Sequence, residues 1–248
     1  MLKNKPIYRI LGMIMFMYLL NSCVALNDLK FTQEGTSINL SKDGLTKIPD
    51  EVFDHKEVKV LRLFGNQIDS ISERIGELEN LEELFLGRNL LTSLPASIGK
   101  LKKLRILSVQ NNNLISLPDE IGDLESLEEL YLNQNDLIAL PETIGNLKEL
   151  VVMKVNYNWL ESIPESIGEC TNLGFIHLTR NNLTSLPSSL SKLSRLKELY
   201  LVGAGPLLDV PESMCDLNYF ELIVVDNSIA LPACMYVLQA NRLQVIQR

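Results

Sequence analysis

Nine side chains suited to gripping a ligand recur along this chain: Phe85, Tyr131, Lys154, Tyr157, Trp159, Phe175, His177, Arg180 and Tyr200. Aromatic rings bury large faces, and Tyr, Trp and Arg add a polar or charged handle, the combination that dominates binding hot spots. That chemistry is recognition rather than bond making. The groups that could make or break bonds are scattered instead. His55 and His177 stand far apart, and Cys23, Cys170, Cys215 and Cys234 have no zinc spacing. The sequence contains no nucleophile elbow and no phosphate-cradling glycine loop. A protein without enzymatic activity, cofactor or metal is expected.

A fixed period places those side chains. Leu40, Leu63, Leu86, Val109, Leu132, Val155, Leu178, Leu201 and Val224 follow one another at intervals of 23 residues. Three residues after each comes Asp43, then Asn66, Asn89, Asn112, Asn135, Asn158 and Asn181, a break at Ala204, then Asn227. In Leu130-Tyr131-Leu132 the alternation sends both leucines to one face of a strand and the tyrosine to the other. One short strand cannot bury its apolar face alone, so successive units must stack and share a core. The recurring Asn turns the chain inward, where its amide can satisfy backbone groups left between rungs. An unpaired buried polar group costs about 1–3 kcal/mol, which accounts for an Asn at this place in most units. Pro141 prevents further ladder bonding, and Ile144-Gly145 begins the return along the outer side. At about 4.8 Å between neighbouring strands, nine rungs span on the order of 40 Å.

Each unit reads L-x-x-L-x-L-x-x-N-x-L-x-x-L-P-x-x-I-G-x-L-x-x and resembles the leucine-rich repeat family. LTSLPASIGKLKKL (91–104) and LIALPETIGNLKEL (137–150) are similar to the 23-residue repeats of Ras-group and bacterial leucine-rich repeat proteins. The resemblance implies an α/β fold: a curved solenoid of about nine repeats, with a parallel β-sheet on the concave face and short helical or irregular segments on the convex face. Bacterial ubiquitin ligases of this family carry a separate catalytic domain after the repeats, and none follows the last repeat here.

The chain has 248 residues, 46% of them hydrophobic, enough to bury a substantial core as one domain. Its net charge of −8 and lack of a basic patch argue against nucleic acid as a partner. The amino-terminal end differs from the rest. MLKNKPIYR carries three bases and no acid, and the eleven-residue run ILGMIMFMYLL follows it. That run is too short to cross a bilayer, which needs roughly 20 residues, and has the layout of a secretory signal peptide. Leu20-Asn21-Ser22-Cys23 resembles the lipobox of bacterial lipoproteins, although Asn21 is an unusual occupant of its position. The resemblance implies cleavage after Ser22 and lipidation of Cys23, which would hold the protein lastingly on a membrane of the bacterial envelope or cell surface. An ordinary signal peptide with a coincidental Cys is the alternative.

The predicted organisation is therefore a signal peptide (1–22), a lipidated Cys with tether and amino-terminal edge (23–35), a solenoid (36–232) and a carboxy-terminal cap (233–248). Cys170 takes the place of Leu101, Leu124 and Leu147 in its unit and should be a buried, inert thiol. Cys215 and Cys234 lie about one repeat apart and could bond across the cap. In the eighth unit Pro211 comes one residue late, and in the ninth Pro232 comes one early, which marks a remodelled loop or the start of the cap.

The residues one before each central Leu should face outward on the inner surface: Asn39, Arg62, Phe85, Ser108, Tyr131, Lys154, His177, Tyr200 and Ile223. Phe64, Tyr157, Trp159 and Arg180 follow just after the strands. A binding strip centred on units five to eight is predicted, and His177 within it could make binding vary near pH 6–7. The expected function is a non-catalytic, membrane-anchored protein that binds a protein or peptide partner through this aromatic face. Two alternatives use the same sequence: an envelope structural protein whose repeats self-associate, and an intracellular scaffold of the Ras-group type.

Overall fold

The computed structural model describes residues 36–205 and 208–248, so Cys23 and the predicted signal peptide and tether lie outside the described residues. Ten parallel strands form one sheet in chain order. They are β1 (Ser37–Asn39), β2 (Val60–Arg62), β3 (Glu83–Phe85), β4 (Ile106–Ser108), β5 (Glu129–Tyr131), β6 (Val152–Lys154), β7 (Phe175–His177), β8 (Glu198–Tyr200), β9 (Leu222–Val225) and β10 (Gln244–Gln247). Up to β9 each connection runs through a five-residue 3-10 helix, beginning just after a Pro in all but one unit. Proline suits this place because it supplies no N–H, which would be an orphan in the first turn anyway.

The core is a set of stacked columns. The central strand residues Leu61, Leu84, Leu107, Leu130, Met153, Ile176 and Leu199 are buried, as are Ile75, Ile98, Ile121, Ile144 and Ile167 of the short helices. Cys170 is buried among them; desolvation pushes its thiol up to about 12, and its Sγ lies 3.1 Å from the Ile144 carbonyl oxygen.

The Asn column closes the rungs. Asn135 Nδ2 donates to the carbonyls of Val109 (3.1 Å) and Leu132 (3.0 Å), and its Oδ1 accepts from Leu114 N (3.0 Å). Asn66, Asn89, Asn112, Asn158 and Asn181 make the same three kinds of bond. Surface charges also pair across rungs, as in Lys59–Glu82 and Arg105–Glu128, both at 2.8 Å. Such exposed pairs contribute little to stability.

One sequence expectation is corrected at the ninth unit. The period of 23 puts Ile223 on the open face, but β9 is offset by one: Leu199 pairs with Ile223 and Tyr200 with Val224. Ile223 is fully buried. The cause is an extra residue in the loop after Ala204, where no Asn fixes the turn; Ser185 already pairs with Asp209, one residue beyond the period. Residues 233–248 form the helix α1 (Ala233–Gln239) and strand β10, which prolongs the sheet. A disulfide joins Cys215 to Cys234, with Cα atoms 6.1 Å apart, tying the last 3-10 helix to α1. Replacing both cysteines with serine should cost about 3 kcal/mol, the loop-closure value for a crosslink of this span. Protection of the α1 and β10 amides in hydrogen exchange should fall first; unchanged protection there would show that packing alone holds this end.

Candidate functional site

The predicted strip divides into two adjoining surfaces. On the open face of the sheet, pairing sets Phe85, Ser108, Tyr131, Lys154, His177 and Tyr200 side by side, one per rung. A second row, two residues earlier, runs through Glu83, Ile106, Glu129, Val152, Phe175 and Glu198. All of these but Ser108 are partly exposed. Burying their aromatic side against the neighbouring rung leaves the outer side available.

The face is internally organised. Tyr131 Oη donates to Glu129 Oε2 at 2.6 Å, and Tyr200 Oη donates to Glu198 Oε2 at 3.1 Å. Burial, and then the Glu129 carboxylate, raise the Tyr131 phenol to about 12, so it stays a donor at any physiological pH. The phenol handles are thus engaged within each strand, and it is the ring faces that remain for a partner. Arg62 lies over the Phe85 ring at 5.4 Å and Lys154 over Tyr131 at 5.6 Å, both within cation–π range. The imidazole of His177 stacks on Tyr200 with centroids 4.2 Å apart and planes inclined by 27°.

That packing overturns the expected pH response. Burial, reinforced by the neighbouring Lys154 cation, lowers His177 to about 4. The imidazole is therefore neutral across pH 6–7, and binding by this face should not change between pH 5.5 and 8 on its account. Stability has the opposite sensitivity. A depressed folded-state value means that the unfolded chain binds the extra proton, so stability is fully present above about 6.5 and falls as pH drops toward 4. His177→Phe should flatten that slope in acid denaturation, whereas an unaltered slope would place the titration elsewhere.

Tyr157, Trp159 and Arg180 lie not on the strands but on the rim beyond their carboxyl ends. Lys42, Arg88, Asn111, Gln134, Tyr157 and Arg180 share one register and all have left-handed backbone, with φ between 55° and 62°. Left-handed geometry is uncommon for a bulky residue, and Tyr157 holds it while its N–H donates to Thr179 O at 2.9 Å or less. The period contained the signal for this column, since Gly65 and Gly203 occupy the same register. Arg180 lies over the Tyr157 ring at 5.4 Å. Among the described residues neither Arg180 nor Lys154 belongs to an ion pair with a carboxylate.

The rim residues surround a cleft of about 570 Å³ that also takes in Asn113, Gln134, Asp136 and Asn182, none of which sequence reasoning singled out. Tyr157 and Trp159 project into it with 50% and 63% of their surfaces exposed. On the face beside the cleft, Asn133 and Asn156 build a second amide ladder, accepting from Asn156 N and Thr179 N at 2.9 Å each. Among the described residues no group of three or more His, Cys, Asp or Glu side chains could hold a metal.

Known proteins of the same design follow from this geometry. The family described as "Leucine-rich repeat region" matches residues 50–136, and that described as "Leucine Rich Repeat" matches 126–147. No curated protein sequence matches the chain. Among solved structures it is similar to a leucine-rich repeat protein of Leptospira interrogans, with 31% identity and a TM-score of 0.61 over 84% of this chain and 59% of that one. It is also similar to the ectodomain of the Arabidopsis thaliana membrane receptor kinase GASSHO1/SCHENGEN3, solved in complex with Casparian strip integrity factor 2. There the identity is 28% and the TM-score 0.68, over 84% of this chain and 27% of the receptor. A plant peptide hormone receptor, RGFR1, in complex with RGF2, gives 26% identity and a TM-score of 0.61 over 82% of this chain and 42% of the receptor. The chain thus spans about six-tenths of the Leptospira protein and less than half of either receptor. Its repeat period, its ten-strand parallel sheet and these likenesses make it a member of the leucine-rich repeat family.

Proposed function

We propose that this protein is a non-catalytic binding module, exported and held on a membrane by lipid at Cys23, that grips a protein or peptide partner on its open sheet face. The observation that carries the reading is the row Tyr131, Lys154, His177 and Tyr200 with Phe175 beside it. Four rings stand on adjacent rungs, their polar handles engaged or stacked and their outer faces open. Rings held rigid in this way lose little conformational entropy on binding. Similar structures, solved as receptor ectodomains with a bound partner, support export and a proteinaceous ligand. Among the described residues no helix is long and apolar enough to cross a membrane, so attachment of this region would rest on the amino-terminal lipid.

The test pairs the chain with a Tyr131→Ala, Phe175→Ala, Tyr200→Ala variant whose fold is checked by circular dichroism. Each is used to capture proteins from envelope and extracellular extracts. At roughly 2 kcal/mol per hot-spot ring, the variant should bind any true partner more than about a hundredfold more weakly. Equal capture by both would make the rings sheet packing and nothing more. For the anchor, Cys23→Ala should abolish acyl labelling and membrane fractionation; unchanged labelling would remove that half of the reading.

Self-association is the second reading, favoured by Leu90, Ile115 and Ile138, which stand about half exposed on successive rungs of one flank. A strictly monomeric mass at high concentration would dismiss it.

A further inference from the structure

The rim cleft has a composition unlike the sheet face beside it. Successive rungs stack Gln134, Tyr157 and Arg180 in one column and Asp136, Trp159 and Asn182 in the next. Two exposed rings therefore lie next to each other, with planar polar side chains on the rung before and the rung after. The conserved-looking Asn column behind them is spent on the wall: Asn135 and Asn158 bond carbonyls of their own and the preceding rungs.

We infer that this cleft is a binding site for a neutral pyranose sugar, separate from the partner-binding face. Three observations separate a sugar from a peptide. The backbone N–H groups of Gln134, Asp136, Tyr157, Trp159, Arg180 and Asn182 all donate to the neighbouring rung, so an extended chain finds no main-chain donors among them with which to add as a strand. What is left for recognition is side chains alone. An amide, a carboxylate and a guanidinium each present paired donors or acceptors in a plane, the spacing that vicinal ring hydroxyls match. The C–H face of a pyranose carries partial positive charge and packs against the negative face of an indole, and Trp159 offers that face at 63% exposure. The ring beside it is preset, because Arg180 covers Tyr157 at 5.4 Å and the left-handed backbone at Tyr157 fixes where the side chain leaves the chain. The cleft volume of about 570 Å³ falls within the range of small-ligand pockets, roughly 300–1,000 Å³. A net charge of −8 favours a neutral sugar over an acidic one.

Trp159 is the only tryptophan of the sequence, so intrinsic tryptophan fluorescence reports on this cleft and nothing else. The full chain, in detergent, would be titrated with maltotriose, N-acetylglucosamine trimer and galacturonic acid trimer. A saturable change in emission with at least one neutral trimer is expected, weakened about tenfold or more by Asp136→Asn or Asn182→Ala, neither of which alters the core. Calorimetry with Trp159→Ala should show the same loss without the optical probe. No saturable change with either neutral trimer overturns the inference. A response to the galacturonic acid trimer alone overturns the neutral class. An emission change produced instead by the captured protein partner, and abolished by the sheet-face triple variant, would assign the cleft to the protein site. Loss of the sugar response leaves the partner-binding reading standing, and loss of partner capture leaves this one standing.

Discussion

Asn135→Ala should lower the unfolding free energy by about 3 kcal/mol, measured as a shift of the urea midpoint. Three buried backbone groups depend on that one amide: the carbonyls of Val109 and Leu132 and the N–H of Leu114. Each loses its partner where water has no access, at a cost of about 1–3 kcal/mol, and partial relaxation trims the sum. The position of the defect matters as much as its size. Each rung touches mainly its neighbours, so a break in the middle of the stack weakens the coupling between its two halves. The transition should broaden as well as shift. Asn133→Ala is the informative control, since its side chain accepts a single bond, from Asn156 N, on the open face. That variant should lose about 1 kcal/mol or less. Equal losses from both would mean that the Asn column is packing volume and not hydrogen bonding.

Gly122→Ala should destabilise the protein by about 1–3 kcal/mol, against the usual gain from replacing a glycine in a compatible conformation. A β-carbon at Gly122 would come 2.3 Å from the Thr143 carbonyl oxygen and 2.7 Å from Thr143 Cβ on the next short helix. Backbone stands in the way, so the rungs themselves would have to part. Gly145 and Gly168 face the next unit in the same manner, with approaches of 2.4 and 2.5 Å. The glycine of the I-G pair is thus a spacing device: it lets the outer helices approach as closely as the strands do on the inner side. Gly87→Ala supplies the contrast. Its β-carbon would meet the Phe64 side chain at 3.2 Å, which can rotate aside, and the loss should stay within about 1 kcal/mol. A mild effect at both sites would show that the outer layer yields easily.

Much of this architecture could be read from the chain because it repeats. A period of 23 makes each residue's environment recur, so Leu130 and Leu132 declare a strand face, Asn135 a buried turn and Gly145 a close approach without knowledge of any other unit. The fold, the core columns, the burial of Cys170 and the outward direction of Tyr131 follow from that local repetition. Register failed where repetition failed. One extra residue after Ala204 moved Ile223 from the face to the core, and no local signal fixes how an insertion is absorbed.

The sequence by itself determined which side chains line up, because stacking converts a shared register into spatial adjacency. Only the tertiary structure decided what those neighbours do to one another. It turned the tyrosine phenols onto their own strands' carboxylates and pressed His177 against Tyr200 until its proton affinity fell. It also lifted Tyr157 and Trp159 off the sheet onto a rim of left-handed backbone, among Gln134, Asp136 and Asn182. Burial, ring stacking and backbone handedness are set by distances between rungs, and a linear pattern specifies the order of rungs but not those distances.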